Sequence, residues 1–232
     1  MKSALPALLA LLATSLLLAC TTPAGPQPDL ARIADATAWQ VLQATAEPAQ
    51  KQGRPALRLV SRGDSADGIV GLALPRGVAF TTGTIEVDLR GKNVRGRSFL
   101  GVAFNVVDAN TFEAVYFRPF NFRADEPFRG RAVQYIAWPG STWEHLRQAL
   151  PGRYEQPLQP PPDPDDWFHA RVEVGPAQVR VFVNGAAEPS LVVARRPAHG
   201  SGVPRPAGLF VDSADGTYAN LRITPDAPAA PR

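Results

Sequence analysis

The sequence predicts an all-β domain, either a sandwich or a barrel. Short alternating or apolar runs recur along it, and Gly, Pro, Asn and Asp separate them. There are about eleven such runs, and no regular alternation of strands with helices accompanies them. The runs are ALRLV, GIVGLAL, GTIEVDLR, SFLGVAFNVV, FEAVYFR, RAVQYIAW, FHARVEV, AQVRVFVNG, SLVVA, AGLFVD and YANLRI.

One short helix is predicted inside a loop insertion, at STWEHLRQALPG. Ser141 and Glu144 have the spacing of a capping box, and Pro151 ends the helical pattern. The segment QPLQPPPDPDD follows, and its prolines predict an extended loop because proline cannot donate to a sheet.

Residues 1–19, in which one lysine precedes a short apolar run, are predicted to be an export signal. Its end, Leu-Leu-Ala-Cys, resembles the lipobox of bacterial lipoproteins, whose cysteine is acylated. Cys20 is the only cysteine of the chain, which favours this interpretation over an ordinary signal peptide. The resemblance implies an exported protein held by lipid in the bacterial cell envelope, with Thr21 favouring the outer membrane, facing the periplasm or the surface.

Beyond the cysteine, composition divides the chain into three parts. Residues 20–37 are rich in Pro and Ala and are predicted to be a flexible tether, whereas residues 38–224 have the length of one large all-β domain. Residues 225–232 are predicted to form a loose tail.

The formal net charge of the chain is only +3, with arginines dispersed among acids, so no nucleic-acid partner is expected. The oligomeric state stays open.

Two segments carry a family resemblance. DDWFHARVEVGPAQVRVFVNG, with Trp167, Gly175 and Asn184-Gly185, resembles a strand–turn–strand hairpin of concanavalin A-like sandwiches, especially laminin G-like domains and the 3-keto-disaccharide hydrolase family. GLFVDSADGTYANLRI resembles the last strands of the same family. The resemblance implies a jelly roll of two antiparallel sheets, one of them curved, whose concave face forms a groove that binds carbohydrate.

The segment FEAVYFRPFNFRADEPF places polar groups on a predicted strand. Alternation puts Ala114, Tyr116 and Arg118 on one face and Val115 and Phe117 on the other, toward the core. A sugar offers hydroxyl groups and an apolar face, which such side chains complement. The alternative is a solvated sheet face, where the arginine pairs with a nearby acid.

Four further residues are predicted to complete this ligand site. Asn105 would lie on its floor beside the small residues Gly101 and Ala103, and Gln134 would join from the next strand. Asn121 and Trp143, from the following loop and the helix, would border it. A glycan or small sugar is therefore the expected partner, besides the membrane that the lipid anchor would contact.

Candidate catalytic acids are few. Glu86 and Asp88 share one strand face about 7 Å apart, a separation at which two carboxylates can flank a glycosidic bond. The strand resembles the Glu-x-Asp-x-Glu strand of laminarinase-type enzymes, but Arg90 occupies the third position. Glu113 is a separate candidate, although its parity with Val115 turns it toward the core.

No metal site or cofactor is expected. His145, His169 and His199 are far apart in sequence and show no zinc-binding spacing, and phosphate-loop and acyl-transfer motifs are missing from the sequence. The carboxylates of PDPDD and DSADG leave a structural calcium ion as an open alternative.

Three functional hypotheses remain from the sequence. The first is an envelope-anchored carbohydrate-binding domain. The second is a hydrolase or lyase acting on keto-modified glycosides, as the family resemblance implies. The third is a structural module that holds other envelope proteins, which an exposed apolar patch would favour.

The lipobox generates the first testable prediction. Cys20→Ser should abolish incorporation of labelled palmitate and release the protein from membranes, because the thiol is the expected acylation site. Membrane fractionation of wild type and variant measures this. An unlabelled wild type whose variant still sediments with membranes would contradict the prediction.

Overall fold

A computed structural model describes residues 27–200 and 202–227, so the predicted signal peptide, Cys20 and most of the tail lie outside the described residues. The described part contains fourteen strands and one α-helix, and none of its helices is long and apolar enough to cross a membrane. The strands are β1 Trp39–Leu42, β2 Ala44–Lys51, β3 Arg54–Ser61, β4 Gly71–Pro75, β5 Gly83–Arg90, β6 Phe99–Asp108, β7 Thr111–Phe117, β8 Val133–Trp138, β9 Glu155–Gln156, β10 Phe168–Val174, β11 Gln178–Val183, β12 Leu191–Ala194, β13 Gly208–Asp212 and β14 Asp215–Pro225; the helix is α1 Trp143–Ala149.

The strands form two seven-stranded antiparallel sheets packed face to face, which confirms the predicted β-sandwich. The first sheet has the order β1-β4-β13-β6-β7-β8-β9, and the second has the order β12-β11-β10-β5-β14-β3-β2. Consecutive strands β6, β7 and β8 are neighbours in the first sheet, so the predicted site residues Asn105, Tyr116 and Gln134 belong to adjacent strands.

All eleven predicted runs are strands in the structure. The three additional strands are β1, β2 and β9. Strand β2 lies at the edge of its sheet, contains Pro48 and is largely exposed, and β9 has only two residues. Neither has the alternating apolar pattern on which the prediction depends. The cap of α1 also differs from expectation: Thr142, not Ser141, accepts from the backbone N–H of His145.

Alternation along each strand builds the core between the sheets. In β5, Ile85, Val87 and Leu89 are fully buried, while the residues between them are half-buried. Phe117 of the first sheet packs edge-on against Phe168 of the second, with ring centroids 5.1 Å apart. The predicted parity of β7 is therefore correct, because the face opposite to Tyr116 and Arg118 is the one in the core.

Part of the predicted tether belongs to the folded structure. Residues Leu30–Arg32 form a 3-10 turn capped by Asp29, and Ile33 is buried against the core. Trp39 fixes this segment, because its indole N–H donates to the backbone carbonyl of Asp29 at 3.0 Å. The isolated apolar residues of this segment have no periodicity, so no sequence pattern predicts that it folds.

A buried ion pair connects the two sheets. Glu113 of β7 accepts two hydrogen bonds from Arg195, which follows β12 of the other sheet, at 2.6 and 3.0 Å, and the two side chains are 1% and 2% exposed. Tyr135 donates to the same carboxylate at 2.6 Å, and Asn105 donates at 3.0 Å. Arg195 also donates to the carbonyl of Gly175. Every polar atom of the carboxylate is thus satisfied without water.

Removal of Arg195 should destabilise the fold strongly. Arg195→Ala leaves the Glu113 carboxylate buried without its counter-ion, which costs about 3–5 kcal/mol. The free energy of unfolding in a denaturant titration measures this. The control is Arg123→Ala, which removes an exposed pair with Asp163 and should cost about 0–1 kcal/mol. Equal losses in the two variants would show that the buried pair does not hold the sheets together.

Candidate functional site

The outer face of the first sheet is covered by aromatic side chains. Tyr116 of β7 and Phe210 of β13 stack across Gly101, which lies between them in β6, with ring centroids 5.4 Å apart. A side chain at Gly101 would collide with the backbone of Val115. The two rings therefore fill the space above Gly101, and no ligand binds there.

Arg118 organises the end of this face. Its guanidinium donates to the Tyr116 hydroxyl at 2.8 Å, to Gln134 Oε1 at 3.2 Å and to the Arg131 carbonyl at 2.9 Å. The residue is only 4% exposed. Burial lowers the pKa of Arg118, and Tyr116 and Glu155 nearby oppose this effect. The structure thus brings the three predicted residues Tyr116, Arg118 and Gln134 together in one hydrogen-bonded group.

A cavity of about 300 Å³ opens above this group. We call it the arginine–aromatic cavity, after the two kinds of side chain that dominate its lining. The aromatic residues are Phe99, Phe120, Phe128 and Trp143; the arginines are Arg95, Arg118, Arg131 and Arg147; and the other polar side chains are Asp64, Ser65, Asn121 and Ser213. The predicted residues Arg118, Asn121 and Trp143 lie in this lining, and Tyr116 and Gln134 support it from beneath.

One buried carboxylate balances part of the positive charge. Glu155 of β9 is 5% exposed and accepts two hydrogen bonds from Arg147, at 2.8 and 2.6 Å. Arg118 and Arg131 lie 3.8 Å from its oxygens. Burial opposes the charge of Arg147, but the hydrogen bond to Glu155 and the negative charge of Glu155 together outweigh it and raise the pKa of the guanidinium. Arg147 also lies over the Trp143 ring, 4.5 Å from its centroid.

Two other arginines flank Phe128. The Arg95 guanidinium lies 3.9 Å from the centroid of this ring, and that of Arg131 lies 5.7 Å from it. Arg95 is exposed, and no salt bridge to it is found among the described residues. Both arginines stand in Arg-Gly-Arg tripeptides, at 95–97 and 129–131.

A protonatable acid lies behind one wall of the cavity. Asp212, 4% exposed, accepts hydrogen bonds from the backbone N–H of Ser65 at 2.9 Å and from the Ser213 hydroxyl at 2.8 Å. Burial raises the pKa of this carboxyl, and the two serines oppose the shift. Ser65 and Ser213 separate Asp212 from the cavity itself.

Asn105 is not on the floor of the site. The pairing of β6 with β7 shifts register after Phe104, and Asn105 adopts a left-handed backbone conformation with φ of 51°. This bulge turns its amide inward, where it donates to Glu113. Glu113 itself is closed between the sheets by Arg195, so neither residue reaches the cavity.

The carboxylates of β5 lie on the opposite side of the sandwich. Glu86 and Asp88 project from the outer face of the second sheet, where His169 lies between them, 3.6 Å from Glu86 and 2.8 Å from Asp88. Burial opposes the charge of Asp88, but hydrogen bonds from His169 and Asn220, with Arg54 nearby, lower its pKa. A general acid of a glycosidase needs a raised pKa, so Asp88 is poorly suited to that role.

Metal ligands do not cluster in the described part of the chain. Within residues 27–200 and 202–227, no group of three or more His, Cys, Asp or Glu side chains is arranged to hold a metal ion. The acids of PDPDD serve other contacts, since Asp163 pairs with Arg123 and Asp165 accepts from the backbone of Asn93.

Most of the charged residues and aromatic rings of the cavity carry no pattern that predicts them from the sequence. Arg95 and Arg131 occupy loops, where no periodicity relates one residue to another. The repeated Arg-Gly-Arg was the available signal, because the glycine allows a tight turn that exposes its neighbours. Phe128 directly precedes the second of these tripeptides and places an aromatic ring beside its arginines.

Comparison with known proteins supports the fold. No family model and no curated protein matches the sequence. Among solved structures, the carbohydrate binding module CBM66 from Bacillus subtilis is similar at 15% identity and a TM-score of 0.51, over 79% of this chain and 93% of that chain. A protein of unknown function with a galectin-like fold from Bacillus subtilis has 12% identity and a TM-score of 0.49, over 85% and 92%. A beta-1,3-glucanase from Mycobacterium marinum has 11% identity and a TM-score of 0.42, over 87% and 94%.

The contacts of His169 with Glu86 and Asp88 should make the stability of the fold depend on pH. The hydrogen bond to Asp88 raises the pKa of His169, so the protonated imidazole stabilises the fold fully below its unfolded value of 6.5 and loses this effect as the pH rises through the folded value. His169→Gln should therefore lower the free energy of unfolding more at about pH 5.5 than at about pH 8.5.

Denaturant titrations at both pH values test this. The control is His145→Gln, which changes an exposed histidine of α1 that contacts no carboxylate in the described structure. If His169→Gln lowers the free energy of unfolding equally at both pH values, or more at the higher one, the protonated His169 does not stabilise the fold.

Proposed function

We propose that this protein is a carbohydrate-binding domain that holds a small sugar or the end of a glycan in the arginine–aromatic cavity. The observation that carries the proposal is the combination of four aromatic rings with a buried, hydrogen-bonded guanidinium around one cavity. A sugar presents an apolar face that stacks on rings and hydroxyl groups that accept from guanidinium N–H groups.

The dimensions and rigidity of the cavity support this use. Its volume of about 300 Å³ is at the lower end for small-molecule sites and fits one or two sugar rings. Tyr116, Gln134 and the Arg131 carbonyl fix Arg118 before any ligand arrives. A donor that is already oriented loses little conformational entropy on binding, so its hydrogen bonds contribute more to affinity.

The fold and the N-terminal sequence give the proposal its setting. The similar structure from Bacillus subtilis is described as a carbohydrate binding module, and its fold supports a sugar site by analogy. The lipobox ending at Cys20 supports an anchor in the bacterial cell envelope, at the outer membrane. A protein held there would meet glycans of the envelope or its surroundings.

A hydrolase is the second candidate, and one observation favours it. Asp212 lies behind the cavity wall, and burial raises the pKa of its carboxyl, as a proton donor requires. Glu86, Asp88 and Glu113 do not reach the cavity. Of the carboxylates that do lie there, Asp64 caps the turn at Ala66–Asp67 and Glu155 is bound by Arg147, so no second free carboxylate completes the pair that most glycosidases use. Binding is therefore favoured over hydrolysis of glycosides, keto-modified or otherwise.

The interaction-module hypothesis has less support. The exposed large apolar side chains of the described residues are Val94, Val107, Val192 and Val203, which belong to four different segments. Single exposed valines are normal on a protein surface and do not make the continuous patch that a protein partner would cover.

A tryptophan pair tests the proposed site. Trp143→Ala removes a ring of the cavity and should weaken glycan binding about five- to ten-fold, because a lost stacking contact costs on the order of 1 kcal/mol or more. Trp167→Ala is the matched control, since Trp167 stacks with Arg54 on the other side of the sandwich and should leave binding unchanged. A glycan array identifies the ligand, and calorimetry on the full-length protein measures both variants.

Two outcomes would count against the proposal. Absence of binding to any glycan would remove it, and equal effects of the two tryptophan variants would place the site elsewhere. Reducing-sugar assays on each bound glycan separate binding from hydrolysis. Activity that disappears in Asp212→Asn while binding persists would favour the hydrolase.

A further inference from the structure

We infer that the arginine–aromatic cavity selects acidic sugars, which carry a carboxylate or a sulfate group, over their neutral counterparts. This inference rests on the proposed carbohydrate-binding function and specifies the ligand class for the same site. The anionic group would lie near Arg95 and Arg131, while the ring of the sugar stacks on the aromatic lining.

The charge balance of the cavity is the first argument. Four guanidinium groups line it, against a single carboxylate, Asp64, in the lining and one more, Glu155, beneath it. The positive charge remains in excess even when Asp212, behind the serine wall, is counted as ionised. A neutral sugar would leave this excess uncompensated in a partly desolvated space, whereas an anion relieves it.

The arginines are not equivalent, which indicates where the anion binds. Arg118 and Arg147 are committed to buried partners, the first to Tyr116 and Gln134 and the second to both oxygens of Glu155. Arg95 has no carboxylate within salt-bridge distance in the described structure, and Arg131 reaches one only at 3.8 Å. Arg95 and Arg131 therefore carry the positive charge that is least compensated, whereas the remaining N–H groups of Arg118 serve the hydroxyl groups of the sugar.

These two arginines flank one aromatic ring. Both guanidinium groups lie within 6 Å of the Phe128 centroid, at 3.9 and 5.7 Å. Like charges held around one ring repel each other, and an anion that accepts charge-assisted hydrogen bonds from these guanidinium groups would reduce that repulsion. The guanidinium fork matches the oxygens of a carboxylate or sulfate, which a hydroxyl group offers less well.

Paired probes test the preference directly. Calorimetry on the full-length protein in mild detergent compares an oligogalacturonate with its carboxyl-reduced, neutral form, and a carrageenan oligosaccharide with its desulfated form. We expect the acidic member of at least one pair to bind about ten-fold more tightly, and the pair identifies carboxylate or sulfate as the group recognised. Addition of about 0.5 M salt should reduce this advantage, because screening weakens exposed charge pairs.

Arginine variants locate the preference. Arg131→Gln and Arg95→Gln should each lower affinity for the acidic probe about ten-fold and leave affinity for the neutral probe nearly unchanged. Arg123→Gln is the matched control, because Arg123 belongs to the same loop as Arg131 but pairs with Asp163 outside the cavity. It should bind both probes like wild type, and thermal unfolding checks that all three variants fold.

The outcomes separate this inference from the proposed function. Equal binding of acidic and neutral probes, still weakened by Trp143→Ala, would overturn the acidic preference and leave the carbohydrate site in place. Absence of binding to all four probes, together with a glycan array that shows no ligand, would remove both. Binding of inorganic sulfate as tightly as the sulfated oligosaccharide would also overturn the inference, since the site would then recognise the anion without the sugar.

Discussion

Strand β7 is buried on both faces, and this constraint shapes the rest of the molecule. Alternation turns the Glu113 carboxylate toward the second sheet, while the guanidinium of Arg118 lies at the end of the strand on the outer side. A buried charge without a partner costs several kcal/mol, so each of these two charged groups needs partners from elsewhere in the chain. Arg195 forms an ion pair with Glu113 and thereby joins the two sheets. Tyr116 and Gln134 accept hydrogen bonds from Arg118.

The same constraint gives the cavity a rigid floor and a more adaptable rim. Arg118 and Arg147 are fixed by buried acceptors, so their orientation is set by the fold and not by a ligand. The guanidinium groups of Arg95 and Arg131 lie against the Phe128 ring, and the nearest carboxylate of Arg131 is 3.8 Å away, so both groups can adjust to the position of an anion. A site of this kind combines low entropic cost at the floor with some tolerance at the rim.

The two outer faces of the sandwich use polar residues differently. On the second sheet, Asp88 is saturated by His169, Arg54 and Asn220 on a strand face beside solvent, so the charges there neutralise one another. On the first sheet, loops and α1 rise beside the face and enclose a cavity with unbalanced charge. A fold does not by itself determine function, so the difference between the two faces carries the functional argument.

Local alternation determined what the sequence alone could reveal: eleven strands, the all-β class, and the common face of Tyr116 and Arg118, whereas Gln134 was added for its polar chemistry. The period of two is a property of each strand, so it needs no knowledge of the partner. The tertiary structure decided the rest. A register shift after Phe104 turned Asn105 inward, and the fold brought Arg95 from one loop to a ring of another, because contacts between loops depend on the packing of the strands that carry them.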